Sequence, residues 1–136
     1  MTHEEIASAI LAVVKPPFAA EDYPLNYFRA KGETTSEMTP WGRLTVQPID
    51  NNKRAITAKI GNRLMSSMGL VTVQLFARPD DQVQKMNALF QNVEWALQDH
   101  RAGVIEFTNI RSDLLGTVEG WDTINITADY SAYFRR

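Results

Sequence analysis

The sequence predicts an α+β fold, in which one largely antiparallel sheet of four or five strands carries two helices packed on one face. Residues 122–134 alternate between apolar and polar side chains, which is the period of a strand with one buried face. Two other segments, near residues 10 and 90, repeat apolar residues at helical spacing. The final two strands are joined by a short link, which favours an antiparallel hairpin.

Length and composition indicate a single domain over residues 1–136, with flexible loops near 31–40 and 47–62. A chain of 136 residues with 44% apolar residues can bury a core without disulfides or metals. The sequence contains no cysteine, which excludes thiol catalysis and thiolate metal sites. No apolar run approaches 18 residues, so no membrane contact is expected, and the acidic start does not resemble a secretory signal.

The first helix is predicted over residues 3–14. Thr2 and Glu5 have the spacing of a capping box, and Pro16 and Pro17 are expected to end the helix. Its apolar stripe consists of Ile6, Ile10, Val13 and Val14.

Two strands are expected in the first half of the chain. Residues 25–30 are a possible strand, and 31–40 read as a loop. A strand starting at Trp41 points Leu44 and Val46 to one side, and Pro48 is expected to end it.

The clearest central strand covers residues 69–77 and leads into a second helix. Asp80 and Asp81 lie where the amides at a helix start favour negative charge. The helix is expected to end near His100. Its buried stripe consists of Val83, Met86, Phe90, Val93 and Leu97, widened by Leu89 and Ala96.

The last third of the chain predicts two strands. Ile105 and Phe107 point inward from the first, and residues 112–120 read as a turn region. The second strand should place its polar residues in water. Its inward face consists of Ile124, Ile126, Ala128, Tyr130, Ala132 and Phe134.

No catalytic, cofactor-binding or metal site is predicted. The chain has no Walker, GxGxxG or GxSxG motif. His3 and His100 lack a second histidine at ligand spacing, and the helix dipole explains a histidine near a helix end. Asp80 and Asp81 point to different sides of a helix, so capping is the favoured interpretation.

One segment is strongly basic in a chain of net charge −2. From Arg43 to Arg63 the sequence contains five basic residues and one acidic residue, Asp50, which gives a local net charge of +4. The segment is either a solvated loop or a contact to an acidic partner or to DNA phosphates. The basic residues are Arg43, Lys53, Arg54, Lys59 and Arg63.

Two methionines adjoin this segment. Met65 and Met68, with Leu64, lie beside the predicted loop. They either cover the edge of the core or form a subunit interface, since methionine adapts to irregular partner surfaces.

The order of these elements resembles the tail terminator, or tail completion, proteins of long-tailed bacteriophages. The resemblance covers nearly the whole chain. It rests on Trp41-Gly42-Arg43 at a strand start, on the pattern from Gly69 to Pro79, and on Gly120-Trp121 before a final alternating strand. These are structural signatures and contain no catalytic residue.

The resemblance implies a non-enzymatic role in virion assembly, without a cofactor. Such proteins form a homo-oligomeric ring, typically a hexamer, at the head-proximal end of the tail. The ring caps the tail tube, stops its polymerisation and offers a surface to the head–tail connector, and DNA passes through its channel.

Three other interpretations stay open at this stage. The chain could be another phage neck protein, namely a head–tail connector or stopper. It could be a small α+β enzyme or ligand-binding domain, which would need a pocket with convergent polar groups. It could also be a DNA-binding module, whose duplex affinity would fall steeply with salt.

Overall fold

The fold is α+β, as the sequence predicts. The computed structural model describes residues 3–27, 39–50, 64–79, 82–100, 105–118 and 120–135. A five-stranded sheet has the order β1-β2-β3-β5-β4, and only the β1–β2 pair is parallel. The elements are α1 (His3–Ala20), β1 (Leu25–Tyr27), β2 (Trp41–Asp50), β3 (Leu64–Ala77), α2 (Val83–Gln98), β4 (Ile105–Val118) and β5 (Trp121–Arg135).

Helix α1 continues through both prolines, so the predicted end at residue 14 is wrong. Each proline removes one backbone hydrogen bond and costs about 3 kcal/mol in a helix interior. Beyond them, Phe18 is buried against the sheet at 1% exposure, which offsets part of that cost. The helix ends at Ala20, and the turn after it contains Asp22, whose φ of 57° is left-handed. The Tyr23 amide donates to the Phe18 carbonyl at 2.9 Å and closes this turn.

Both helices pack on the same face of the sheet. On β5, every second residue from Ile124 to Ala132 is buried and belongs to one core cluster with α1 and α2. Strand β3 contributes Val71, Val73, Leu75 and Ala77 to that cluster. The side chain of Phe134 lies outside the described part of the structure, so its predicted inward position stays a prediction.

Helix α2 buries the stripe that the sequence predicts. Met86, Leu89, Val93 and Leu97 are buried, whereas Val83 and Phe90 are half-buried. Asp80 and Asp81, the predicted capping acids, lie outside the described residues. The N-cap is Gln82, whose side-chain oxygen accepts a hydrogen bond from the Arg78 amide at 2.8 Å.

Three strands are longer than predicted. Strand β2 passes Pro48 and reaches Asp50 through a bulge, so residues 47–50 are not loop, and residues 51–62 lie outside the described structure. Strand β3 begins at Leu64, which places Met65 and Met68 in a strand rather than beside a loop. Strand β4 runs on to Val118, so the predicted turn over 112–120 is wrong.

The reason for the missed half of β4 is its exposure. Residues 111–117 are exposed on both faces of the sheet, so this stretch has no buried face to impose alternation. Gly116, with a φ of 75°, lies at a bulge that lets the strand continue. The antiparallel β4–β5 hairpin itself is confirmed. Neither described helix is long and apolar enough to cross a membrane.

Candidate functional site

The sheet face opposite the two helices carries no helical layer among the described residues. We call it the outer face. It presents mainly amide, hydroxyl and charged side chains. They include Thr45, Gln47, Thr72, Gln74, Asn125, Thr127 and Asp129.

The outer face is less solvated than the alternation of β5 predicts. Thr123 is only 2% exposed, and Asn125 and Thr127 are half-buried. The side-chain oxygen of Asn125 is buried and has no hydrogen-bond partner among the described residues. Neighbouring strands therefore shield this face, which corrects the expectation that its polar residues lie in water.

An aromatic cluster closes one end of the outer face. Trp41 stacks on Phe76 with ring centroids 4.2 Å apart and meets Trp121 edge-on at 5.7 Å. Trp41 is 4% exposed, and its indole nitrogen has no partner among the described residues. Segments eighty residues apart in the sequence thus meet across the sheet.

Two arginines cover this cluster. The Arg78 guanidinium lies 3.8 Å from the Trp121 ring centroid and donates to the Gly120 carbonyl at 3.2 Å. The Arg43 guanidinium lies 5.6 Å from the centroid of Phe76 and 6.0 Å from that of Trp41. These are cation–π distances. Arg43 therefore braces the aromatic cluster, in addition to carrying charge in the basic segment.

The other predicted basic residues cannot be placed. Lys53, Arg54, Lys59 and Arg63 lie outside the described residues, so their grouping stays a prediction from sequence. The backbone of Met65 pairs with Phe134 in the β3–β5 ladder, and its side chain is not described.

Exposed apolar side chains lie at two corners of the sheet. Ile49 is 68% and Met68 45% exposed, and we call them the Met corner. Leu114 is 76% and Leu115 48% exposed, and we call them the Leu corner. Met68 therefore does not belong to the core cluster.

The two corners are diagonally opposed. The β-ladders place Leu114, Ile124, Leu75 and Gly42 in one row across the sheet. Ile49 lies seven residues further along β2 than Gly42. Seven residues correspond to about 23 Å along the strands. The three steps from β4 to β2 correspond to about 14 Å across the sheet.

Leu114 and Met68 also point to opposite faces. Leu114 pairs with the buried Ile124, so it lies on the helix side of the sheet, where the helices leave it uncovered. Met68 pairs with Ser131, which belongs to the outer face.

Strand β4 is a sheet edge whose irregularities discourage further strand pairing. Register shifts interrupt it between Thr108 and Arg111 and between Leu114 and Gly116. At the first shift, Arg111 donates to the Asn109 carbonyl at 2.8 Å and lies 3.7 Å from the Asp129 carboxylate. Bulges and charges of this kind protect edges from unintended pairing.

The described residues contain little reactive chemistry. No group of three potential metal ligands occurs among them. The ring of His100 packs edge-on against Phe107 at 5.5 Å, which gives it a packing role. Two tyrosines have a raised pKa. Burial raises the pKa of Tyr130, and burial followed by the nearby Glu21 carboxylate raises that of Tyr23.

A cleft lies between the end of α1 and the exposed side of α2. Its volume is about 260 Å³, and its walls include Tyr23, Ala88, Leu89 and Asn92. Half-exposed Trp95 lies on the same side of α2. Trp95 is not among the functional residues predicted from the sequence, although a helical projection of residues 83–98 places it opposite the buried stripe.

Comparison with known proteins supports the fold alone. No family model and no curated protein matches this chain. A solved protein structure that carries no functional name is similar over 98% of this chain and 97% of its own length, with a TM-score of 0.64 and 16% sequence identity. The complete α+β arrangement therefore also occurs in a protein of very different sequence.

Proposed function

We propose that this chain is a structural protein of virion assembly, which caps the tail tube of a long-tailed bacteriophage as a ring. The ring stops tube polymerisation and provides the surface for head–tail joining. Its partners are further copies of itself, the tail tube protein and the head–tail connector, and DNA passes through its channel. The resemblance through Trp41-Gly42-Arg43 and Gly120-Trp121 supports this function.

The observation that carries the proposal is the presence of two different apolar corners on one sheet. A closed ring needs a head-to-tail contact, in which each subunit offers two dissimilar and complementary patches. The Met corner and the Leu corner lie at opposite ends of a diagonal and on opposite faces. In the ring, the Leu corner of one subunit packs on the Met corner of the next.

The basic segment supplies the second part of the function. Its local charge of +4 suits an acidic tube end. The tube presents its subunits already in ring geometry, so each docked copy raises the effective concentration for its neighbour. Growth stops because the opposite side of the ring does not match the next tube subunit.

The direct test is electron microscopy of the purified protein with and without tail tubes. Rings, or caps on a single tube end, are the expected result. The proposal would be refuted if the protein forms no rings and binds to neither end of the tubes.

A pair of variants distinguishes a specific contact of the Leu corner from a general effect of added surface charge. The double substitution Leu114→Asp with Leu115→Asp should abolish rings and leave the melting temperature nearly unchanged, because both side chains are already exposed. The matched control is Ser112→Asp, which adds a charge at an exposed position of the same strand. Normal rings from the double variant would show that the Leu corner is not a subunit contact.

The basic segment has its own test. Reversing Lys53, Arg54 and Lys59 to glutamate should weaken capping of tubes while the far-ultraviolet circular dichroism stays native. Normal capping by the triple variant would show that these three positive charges are not needed for binding to the tube.

The neighbouring function, that of a connector or stopper, differs in its partner. Copurification with tails from an infection that makes no heads supports the terminator role. Copurification with heads alone supports the connector role.

A further inference from the structure

Helix α2 and its C-cap residue Asp99 carry a second stripe, on a side of the helix that the sheet leaves exposed. Five exposed residues follow one another at intervals of three, four, three and four positions, which places them on one side of the helix. We call them the α2 stripe. They are Lys85, Ala88, Asn92, Trp95 and Asp99.

The composition of this side is that of an interface. The centre of the stripe, from Ala88 through Asn92 to Trp95, is uncharged, and its two charged residues, Lys85 and Asp99, lie at its ends. A helix that faces water alone normally carries charged residues there. Interface cores are depleted of charge and enriched in tryptophan, and Trp95 is 50% exposed.

The cleft beside Ala88 is large enough to accept an aromatic ring. Its volume is about 260 Å³, and a cavity of about 150 Å³ already holds benzene. Ala88 keeps the cleft open because its side chain is small, and Tyr23 and Leu89 provide aromatic and apolar wall. The stripe therefore contains a protruding tryptophan and, seven positions earlier, a recess.

We propose that the α2 stripe binds the α2 stripe of a second copy of this chain, antiparallel across a two-fold axis at Asn92. The helix rises about 1.5 Å per residue, so Trp95 and Ala88 lie at nearly equal distances on either side of that axis. Each Trp95 then enters the cleft beside the other copy's Ala88. The two Asn92 amides meet at the axis, where each can donate to and accept from the other.

Charge selects the antiparallel orientation. Lys85 and Asp99 lie seven positions before and after Asn92, so each Lys85 faces the Asp99 of the other copy. A parallel pair in register would instead place Lys85 on Lys85 and Asp99 on Asp99, which is repulsive. The lysine also approaches the negative end of the opposite helix dipole.

The size of the contact predicts a weak, reversible dimer. A helix of 16 residues is about 24 Å long, so two such helices bury less than about 1,200 Å² in total. The dimer should therefore depend on protein concentration. This two-fold contact uses the helical layer and does not depend on the proposed ring, which uses the corners of the sheet.

Sedimentation equilibrium tests the proposal on the Leu114→Asp, Leu115→Asp variant, in which the proposed ring contact is removed and only the two-fold contact can raise the mass. The average mass should rise with concentration from 15.4 kDa towards twice that value. Trp95→Ala should raise the dimer dissociation constant at least about 30-fold, as expected for a central interface tryptophan. Tyr27→Ala is the matched control, since it removes an aromatic residue of 41% exposure from another surface. A constant mass of 15.4 kDa up to millimolar protein would overturn the inference.

A charge exchange tests the register. Lys85→Glu and Asp99→Lys should each weaken the dimer about 3- to 10-fold, and the double variant should restore it, because the opposite charges meet again. If the double variant is weaker than either single one, Lys85 and Asp99 do not face each other and the antiparallel register is wrong.

The absence of cysteine permits a clean crosslinking test. Asn92→Cys should form a disulfide-linked dimer on mild oxidation, because the two positions face each other across the axis. Asn87→Cys, an exposed position on another side of the same helix, should form no disulfide-linked dimer. Equal crosslinking of the two variants would refute the two-fold axis at Asn92.

Discussion

Replacing Tyr130 by phenylalanine should stabilise the protein. The Tyr130 side chain is 1% exposed, and its hydroxyl is buried without a hydrogen-bond partner among the described residues. A buried hydroxyl of this kind costs about 1–3 kcal/mol, and the substitution removes it while keeping the ring. We expect the free energy of unfolding to rise by about 1 kcal/mol, which corresponds to about 3–4 °C in melting temperature.

The assay is urea unfolding at pH 7, followed by circular dichroism. A higher midpoint with an unchanged slope reports a change in stability alone. Tyr27→Phe is the matched control, because Tyr27 is 41% exposed and its change should stay within about 0.5 kcal/mol. A loss of 1 kcal/mol or more in Tyr130→Phe would show that the hydroxyl has a partner and would refute the reasoning.

The same hydroxyl predicts a dependence on alkaline pH. Burial raises the pKa of Tyr130 in the folded state above its ordinary value of 10.0. Between these two values, the unfolded chain has lost the proton and the folded chain still holds it, so stability falls as pH rises. Below pH 10.0 the Tyr130 hydroxyl is protonated in both states, so this group does not make the stability depend on pH there. The advantage of Tyr130→Phe should therefore grow as the pH rises above 10.0.

Three further predictions concern the fold. Ile126→Asp should unfold the protein, because it buries an unpaired charge at a position of 0% exposure, and a folded circular dichroism spectrum would show that the facing of β5 is inverted. Gly69→Ala should cost about 2–3 kcal/mol in urea unfolding, since the new carbon would meet Tyr130 and the Gln47 carbonyl at 2.5 Å. Arg78→Ala should cost about 1 kcal/mol, because the contact with the Trp121 ring is lost, and an unchanged midpoint would contradict a stabilising role.

The elements that could be predicted from the sequence are those with one buried side and one side that is not buried. Strand β5 could be predicted because Ile126 faces the helices and Asn125 does not. The second half of β4 could not be predicted, since Leu114 and Ser112 are as exposed as their neighbours in the strand. Helix α1 was predicted too short because the burial of Phe18 is a tertiary effect that no local pattern contains.

The candidate site was less accessible to prediction. Arg43 was identified from charge, but its position over Trp41 and Phe76 depends on strand register. The contact between Trp41 and Trp121 requires the order of strands in the sheet, which alternation within one strand does not specify. Trp95 is the exception, because helical spacing alone places it opposite the buried stripe.

The position of β5 between β3 and β4 also bears on how the protein folds. The β4–β5 hairpin is local in sequence, so the loop that it closes is short. Its addition to β3 joins Leu75 to Ile124, so the chain must close a loop of some fifty residues before the core exists. Closing this loop should limit the folding rate, and deleting residues 121–135 would leave β4 with no neighbour to bind.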